Sequence, residues 1–139
     1  MIVQFLLSMT ATASFAVLFN APKEQFLTNA LTGALGWISY LIFCALGLKT
    51  TSASLAAAFC LTIISRMFAA YLKCPATLYL VTGIFTLVPG SGIYYTSYYF
   101  IMNETQLSAA KGIETFQIAG AIAVGILFGF SIPQKLFHK

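Results

Sequence analysis

Five apolar runs, Ile2–Phe19, Ala30–Leu48, Ala53–Leu72, Ala76–Met102 and Ile113–Ile132, take up most of this 139-residue sequence. A hydrocarbon core of about 30 Å takes about 20 apolar residues of helix, so each run is long enough to cross one. No stretch left between them for water is longer than the ten residues of Asn103–Gly112. Only 7% of the residues are charged, far below the roughly one quarter that clothes a water-facing surface. A water-soluble enzyme is excluded. The expected fold is an all-α integral membrane protein, with residues 1–139 forming one transmembrane domain of five helices.

The net charge of +4 points to membrane orientation rather than to nucleic acid, because the basic residues stand singly along the chain. Five crossings put the two termini on opposite sides. Lys23, Arg66, Lys73, Lys135 and Lys139 then gather at one side, against Lys49 and Lys111 at the other. The positive-inside rule makes the richer side cytoplasmic, with the N-terminus outside the cell membrane and the C-terminus within. Cys44, Cys60 and Cys74 show no CxxC spacing, and His138 has no acidic or thiol neighbour. There is no Ser/His/Asp set, paired carboxylate or phosphate loop, so neither a cofactor nor catalysis on a substrate is expected.

The polar residues inside the runs carry more information. Gln4, Ser8 and Thr12 recur every four residues and share one helix face, which in lipid is best turned toward another helix. Thr50-Thr51-Ser52 are natural N-cap residues for the third run. Ala121, Gly125 and Gly129 form a small-residue face for close helix contact, either within the chain or with another subunit. The fourth run, at 27 residues, would make a single helix about 40 Å long, more than a bilayer core needs. Pro89-Gly90-Ser91-Gly92 stands in its middle. Proline removes a backbone donor and crowds the preceding turn, and glycine disfavours helix, so the fourth helix is expected to break at Pro89–Gly92. Backbone freed at membrane depth must be covered by protein or line a watery cavity, as in the broken helices of transporters. The bland alternative is a proline kink packed over by its neighbours. On the first reading, the amides of Gly90, Ser91 and Gly92 receive a carboxylate, with the hydroxyl of Tyr94 or Tyr95 nearby. Tyr98 and Tyr99 read as an interfacial aromatic belt. Arg66 and Glu114, ionisable residues in or beside apolar runs, join Pro89, Gly90, Ser91, Gly92 and Tyr94 as candidate substrate-binding residues. Lys73 is expected to sit on a solvated turn outside that set.

A family resemblance follows from motifs in a fixed order: Phe19-Asn20-Ala21-Pro22, Gly33-Ala34-Leu35-Gly36-Trp37, Ser65-Arg66, Pro75-Ala76-Thr77 and Leu87-Val88-Pro89-Gly90-Ser91-Gly92-Ile93-Tyr94. Over nearly its whole length the chain resembles the threonine/serine exporter family, and more closely the small five-span subunit of its two-component members. One departure is Thr86, where family members often carry another proline. The resemblance implies a larger ThrE-like membrane subunit as partner, the lipid bilayer as surroundings, and a small carboxylate-bearing substrate, either threonine and serine or a succinate-type dicarboxylate. A non-transporting membrane scaffold or assembly subunit is the alternative, and an interrupted span is what separates the two.

Overall fold

The computed structural model describes residues 1–134, and the Lys135 and Lys139 of the orientation argument, together with His138, lie outside them. Six α-helices occur among the described residues: α1 (Ile2–Leu18), α2 (Phe26–Ala45, entered through the short 3-10 turn Lys23–Gln25), α3 (Thr50–Leu72), α4 (Ala76–Ile84), α5 (Gly90–Ile101) and α6 (Thr105–Ser131). Three are long and apolar enough to cross a membrane: Lys23–Ala45, Thr50–Leu72 and Thr105–Ser131. The 17-residue α1 is apolar but shorter. The chain is an all-helical membrane protein.

Four helix ends close in one way. Asn20, Gly47, Lys73 and Asn103 take left-handed backbone conformations, and the amide of the next residue reaches back to the carbonyls of Ala16, Phe43, Ala69 and Tyr99 respectively. Each closure satisfies a terminal carbonyl that lipid would otherwise leave bare. The hydroxyls inside the helices are handled locally too. Thr10, Thr12, Thr32, Ser54, Thr62, Ser65 and Thr115 each donate to the carbonyl four residues earlier. Ser54 is bonded to Thr50, so the Thr50–Ser52 cluster lies within the first turn of α3, and the capping position belongs to Lys49.

Packing is governed by small residues. Thr12 of α1 fills the space where a side chain on Gly33 of α2 would stand, and Ser8 and Thr12 are buried as the sequence stripe predicts. α2 and α4 run side by side in the same direction, joined by Tyr79 Oη donating to Gln25 Oε1 at 2.6 Å and Thr82 Oγ1 donating to Asn29 Oδ1 at 2.8 Å. The apolar core gathers Ala57, Ala58 and Leu61 of α3, Leu80 of α4, Leu87 beyond it, and Ile118 and Ile122 of α6.

α6 lies on α3, also in the same direction. Gly125 meets the Leu55 carbonyl and Ala58, and Gly129 meets Thr62. The small-residue face is therefore spent on an internal contact. In this register Ile118 lies beside Thr50, the first residue of α3, so the preceding part of α6 runs on past the end of α3 for about 20 Å. α5 lies along that projecting part and, among the described residues, packs against no other helix.

Two expectations on element limits change. Asn103–Gly112 is a tight turn followed by the first two turns of α6, not an open loop, because Asn103 closes α5 and helix resumes at Thr105. The break in the fourth run lies before the glycines rather than across Pro89–Gly92. α4 ends at Ile84, the interruption covers Phe85–Pro89, and Gly90–Gly92 form the first turn of α5. A proline ring crowds the residues before it and suits a helix start, so the damage falls on the N-terminal side.

The internal role of Gly125 generates a test. Gly125→Leu forces a side chain against the Leu55 backbone and is expected to cost about 1–3 kcal/mol, seen as lower membrane abundance and a lower Tm in detergent. Gly120→Leu, on the same helix with open space around it, is expected to leave both unchanged. Equal behaviour of the two variants would refute this packing.

Candidate functional site

The backbone around the interruption sets the site. Leu87 is still in the core, its amide bonded to the Ile84 carbonyl, and the Val88 amide also reaches Ile84. Pro89 then turns the chain, and the Gly90 amide folds back to the Val88 carbonyl at 2.7 Å. The Ser91 and Gly92 amides belong to the first turn of α5, where a helix offers its own donors no acceptor. They carry the positive end of the α5 dipole.

Beside this turn is a cavity of about 280 Å³, lined by Pro89, Ser91, Gly92, Tyr95, Tyr99 and, from the neighbouring helices, Thr50, Lys111, Glu114, Thr115 and Ile118. Lys111 Nζ and Glu114 Oε2 form an ion pair at 2.7 Å, with both side chains about half exposed. The pair stands at i, i+3 on α6, which places both residues on one face, where they line the cavity. A lysine, a glutamate, two first-turn residues of α5 and two tyrosines thus line one small space. It can hold a small polar molecule that bears charge. Among the described residues no group of His, Cys, Asp or Glu comes together to hold a metal.

Of the residues named from sequence, Pro89, Ser91, Gly92 and Glu114 share this cavity. Gly90 does not line it, and a Cβ added there meets nothing within 4 Å. Tyr94 is 63% exposed and stacks on Tyr98, whereas Tyr95 and Tyr99 are the tyrosines on the cavity wall. One turn of helix separates each stacked pair, so the two faces of α5 divide the four rings between cavity and surroundings.

Arg66 is elsewhere. Its guanidinium Nη1 donates to the Gly129 carbonyl at 2.6 Å and lies 5.8 Å from the Phe130 ring centroid. Gly129 is one of the last four residues of α6, whose carbonyls have no partner in the helix, so Arg66 serves as a cationic cap. Glu114 stands fifteen residues before Gly129 on α6, about 22 Å of helix. Arg66 and the interruption do not form one site.

Lys111 and Thr50 escaped the sequence reading. The signal for Lys111 was its three-residue spacing to Glu114, which has meaning only once Thr105–Gly112 is helical. The sequence marks Thr50 only as a helix-cap candidate; it reaches the cavity through the register of α3 on α6.

Comparison with known proteins gives one match. The sequence model of the family described as Threonine/Serine exporter, ThrE, matches residues 4–132. No curated protein and no solved structure matches.

The two glycines of the site make a discriminating pair. A Cβ at Gly92 would run into Thr115 of α6, so Gly92→Ala is expected to loosen α5 from α6 and cost about 1–3 kcal/mol in thermal unfolding. Gly90→Ala is expected to be neutral, or up to about 1 kcal/mol stabilising through helix propensity. The reverse order would mean that the first turn of α5 is built differently.

Proposed function

The chain belongs to the threonine/serine exporter family, and from that premise we propose that it is a membrane subunit of a secondary exporter for small carboxylate-bearing metabolites, working with a larger homologous subunit. On this reading α1, α2, α3, the interrupted α4–α5 pair and α6 are five crossings, with the N-terminus outside and the C-terminus in the cytoplasm. The observation that carries it is the interruption at Phe85–Pro89 opening on a cavity that also holds the Lys111–Glu114 pair. A scaffold subunit needs neither.

The cargo carboxylate is received by Lys111 and the Ser91 and Gly92 amides. The amino group of threonine or serine exchanges for Lys111 as the partner of Glu114. A pair of opposite charges complements a zwitterion, whereas the second carboxylate of succinate would face Glu114. That favours amino acids over dicarboxylates. The partner reading rests on α5, which touches α6 alone among the helices and leaves Ile93, Phe100 and Ile101 more than half exposed. The larger subunit covers this face, not the Gly125 and Gly129 face that α3 already occupies.

Efflux from cells preloaded with threonine, serine or succinate, and co-expressing the larger subunit, tests this assignment. Lys111→Gln is expected to lower efflux of all three about tenfold or more, the scale of one lost charge-assisted hydrogen bond. Glu114→Gln is expected to impair threonine and serine but spare succinate. Full efflux from both variants at unchanged membrane abundance would place the cargo elsewhere, and would favour an assembly role for this chain.

A further inference from the structure

The interruption divides the fourth run into halves that are held very differently. α4 is seated: Tyr79, Leu80, Thr82 and Gly83 are buried, and Tyr79 and Thr82 are tied to Gln25 and Asn29 of α2. No residue of α5 is buried, and among the described residues α5 meets α6 alone. α6 divides in the same way. From Ile118 onward it buries Ile118, Ala121, Ile122, Gly125 and Gly129; before Ile118 it buries only Ser108, whose hydroxyl donates to the Thr96 carbonyl of α5 at 2.9 Å. We propose that residues 90–117 form an arm that pivots about the interruption and Gly120, and that its swing opens and closes the cavity beside Ser91 and Gly92. The arm stands on packing alone, whereas its role in handling cargo rests on the reading of that cavity given above.

Inside the arm the two helices interlock. A Cβ at Gly92 would run into Thr115, and one at Gly112 would stand 3.3 Å from the Thr96 methyl. The Ser108 bond to Thr96 adds a polar tie, so the pair moves as one piece. Its links to the body formed by α1–α4 and the second half of α6 are both weak points. The first is the non-helical stretch between α4 and α5. The second contains Gly120, and glycine is disfavoured in a helix interior. Gly112, Gly125 and Gly129 each have a neighbour that accounts for the missing side chain, while Gly120 has nothing within 4 Å among the described residues. Packing gives no reason for a glycine at that position, and bending does.

The two links also lie at one level, which a pivot requires. Pro89 of the first link and Ile118, two residues before Gly120, line the same cavity. Of its other wall residues, Thr50 belongs to the body, while Ser91, Gly92, Tyr95, Tyr99, Lys111 and Glu114 all belong to the arm. The groups assigned to the cargo therefore travel together. A tilt changes their distance from Thr50 and keeps their own geometry, as hinge closure around a ligand does. Few buried apolar contacts join arm to body, so the motion breaks little.

The test measures distances by double electron–electron resonance on the full chain in lipid nanodiscs, with Cys44, Cys60 and Cys74 replaced by alanine. Nitroxides are placed on Met102→Cys, at the tip of α5, and Leu46→Cys, at the end of α2, where both side chains are more than half exposed. Leu46→Cys with Tyr71→Cys is the control pair, both within the body. An arm about 20 Å long that tilts by about 20° carries its tip about 7 Å. The Leu46–Met102 pair is expected to give two distance populations separated by about that much, and the control pair one. Gly120→Ala lies outside the cavity, has room for its methyl group and favours straight helix; it is expected to change the ratio of the two populations about fivefold. A single Leu46–Met102 distance as narrow as the control, or populations that Gly120→Ala leaves unchanged, overturns the proposal. Added threonine reports separately on the cargo reading. Populations that respond to Gly120→Ala but not to threonine support the arm and take the cargo out of its cavity.

Discussion

Gly125 and Gly129 bring α6 so close to α3 that no side chain fits at either position, and the rest of the architecture follows from that contact. The contact sets the register of two long helices running in the same direction. Once Gly125 is seated against Leu55 and Ala58, the first half of α6 must extend past Thr50. α5 then has only that extension to lie against. The cavity forms where the three elements meet: the start of α3, the start of α5 and the third turn of α6. The same contact brings the other end of α6 to Arg66, whose charge answers the Gly129 carbonyl. One close approach therefore positions both ends of the molecule.

The fourth run shows how a chain with so few charges accommodates exposed backbone. A proline at the start of α5 unwinds the turn before it, yet Thr86 Oγ1 donates to the Gly83 carbonyl at 2.8 Å within the damaged stretch. Leu87 stays in the core. The groups left over are the first-turn amides of Ser91 and Gly92, which are donors, and both residues line a space that already contains a lysine and a carboxylate. Where the other helices silence their hydroxyls on their own carbonyls, this segment leaves polar capacity unspent.

The sequence made the large features legible because they depend on local chemistry. Apolar length marked the membrane helices, four-residue spacing put Ser8 and Thr12 on a buried face, and Gly125-xxx-Gly129 marked a close approach. The family was legible from motif order, and the match over residues 4–132 agrees with it. What stayed hidden depends on register between helices. Arg66 and Glu114 look alike in sequence, each an isolated charge near lipid, but one lies at the end of α6 and the other 15 residues before Gly129. The position of the break was misjudged by about one turn, because glycine content suggested where helix fails while proline geometry decides it. The first two turns of α6 read as loop because Thr105–Gly112 has no apolar stripe, although a helix lying against α5 needs one only on a narrow face.

The central claim is that the first turn of α5 faces a watery, substrate-holding cavity. It is tested most directly by thiol labelling of Ser91→Cys after Cys44, Cys60 and Cys74 have been replaced by alanine. With the larger subunit present, a charged, membrane-impermeant thiol reagent should modify this cysteine quickly, and threonine should slow the reaction in a saturable way. Labelling no faster than that of a protein keeping only Cys60, with no effect of threonine, would contradict the account.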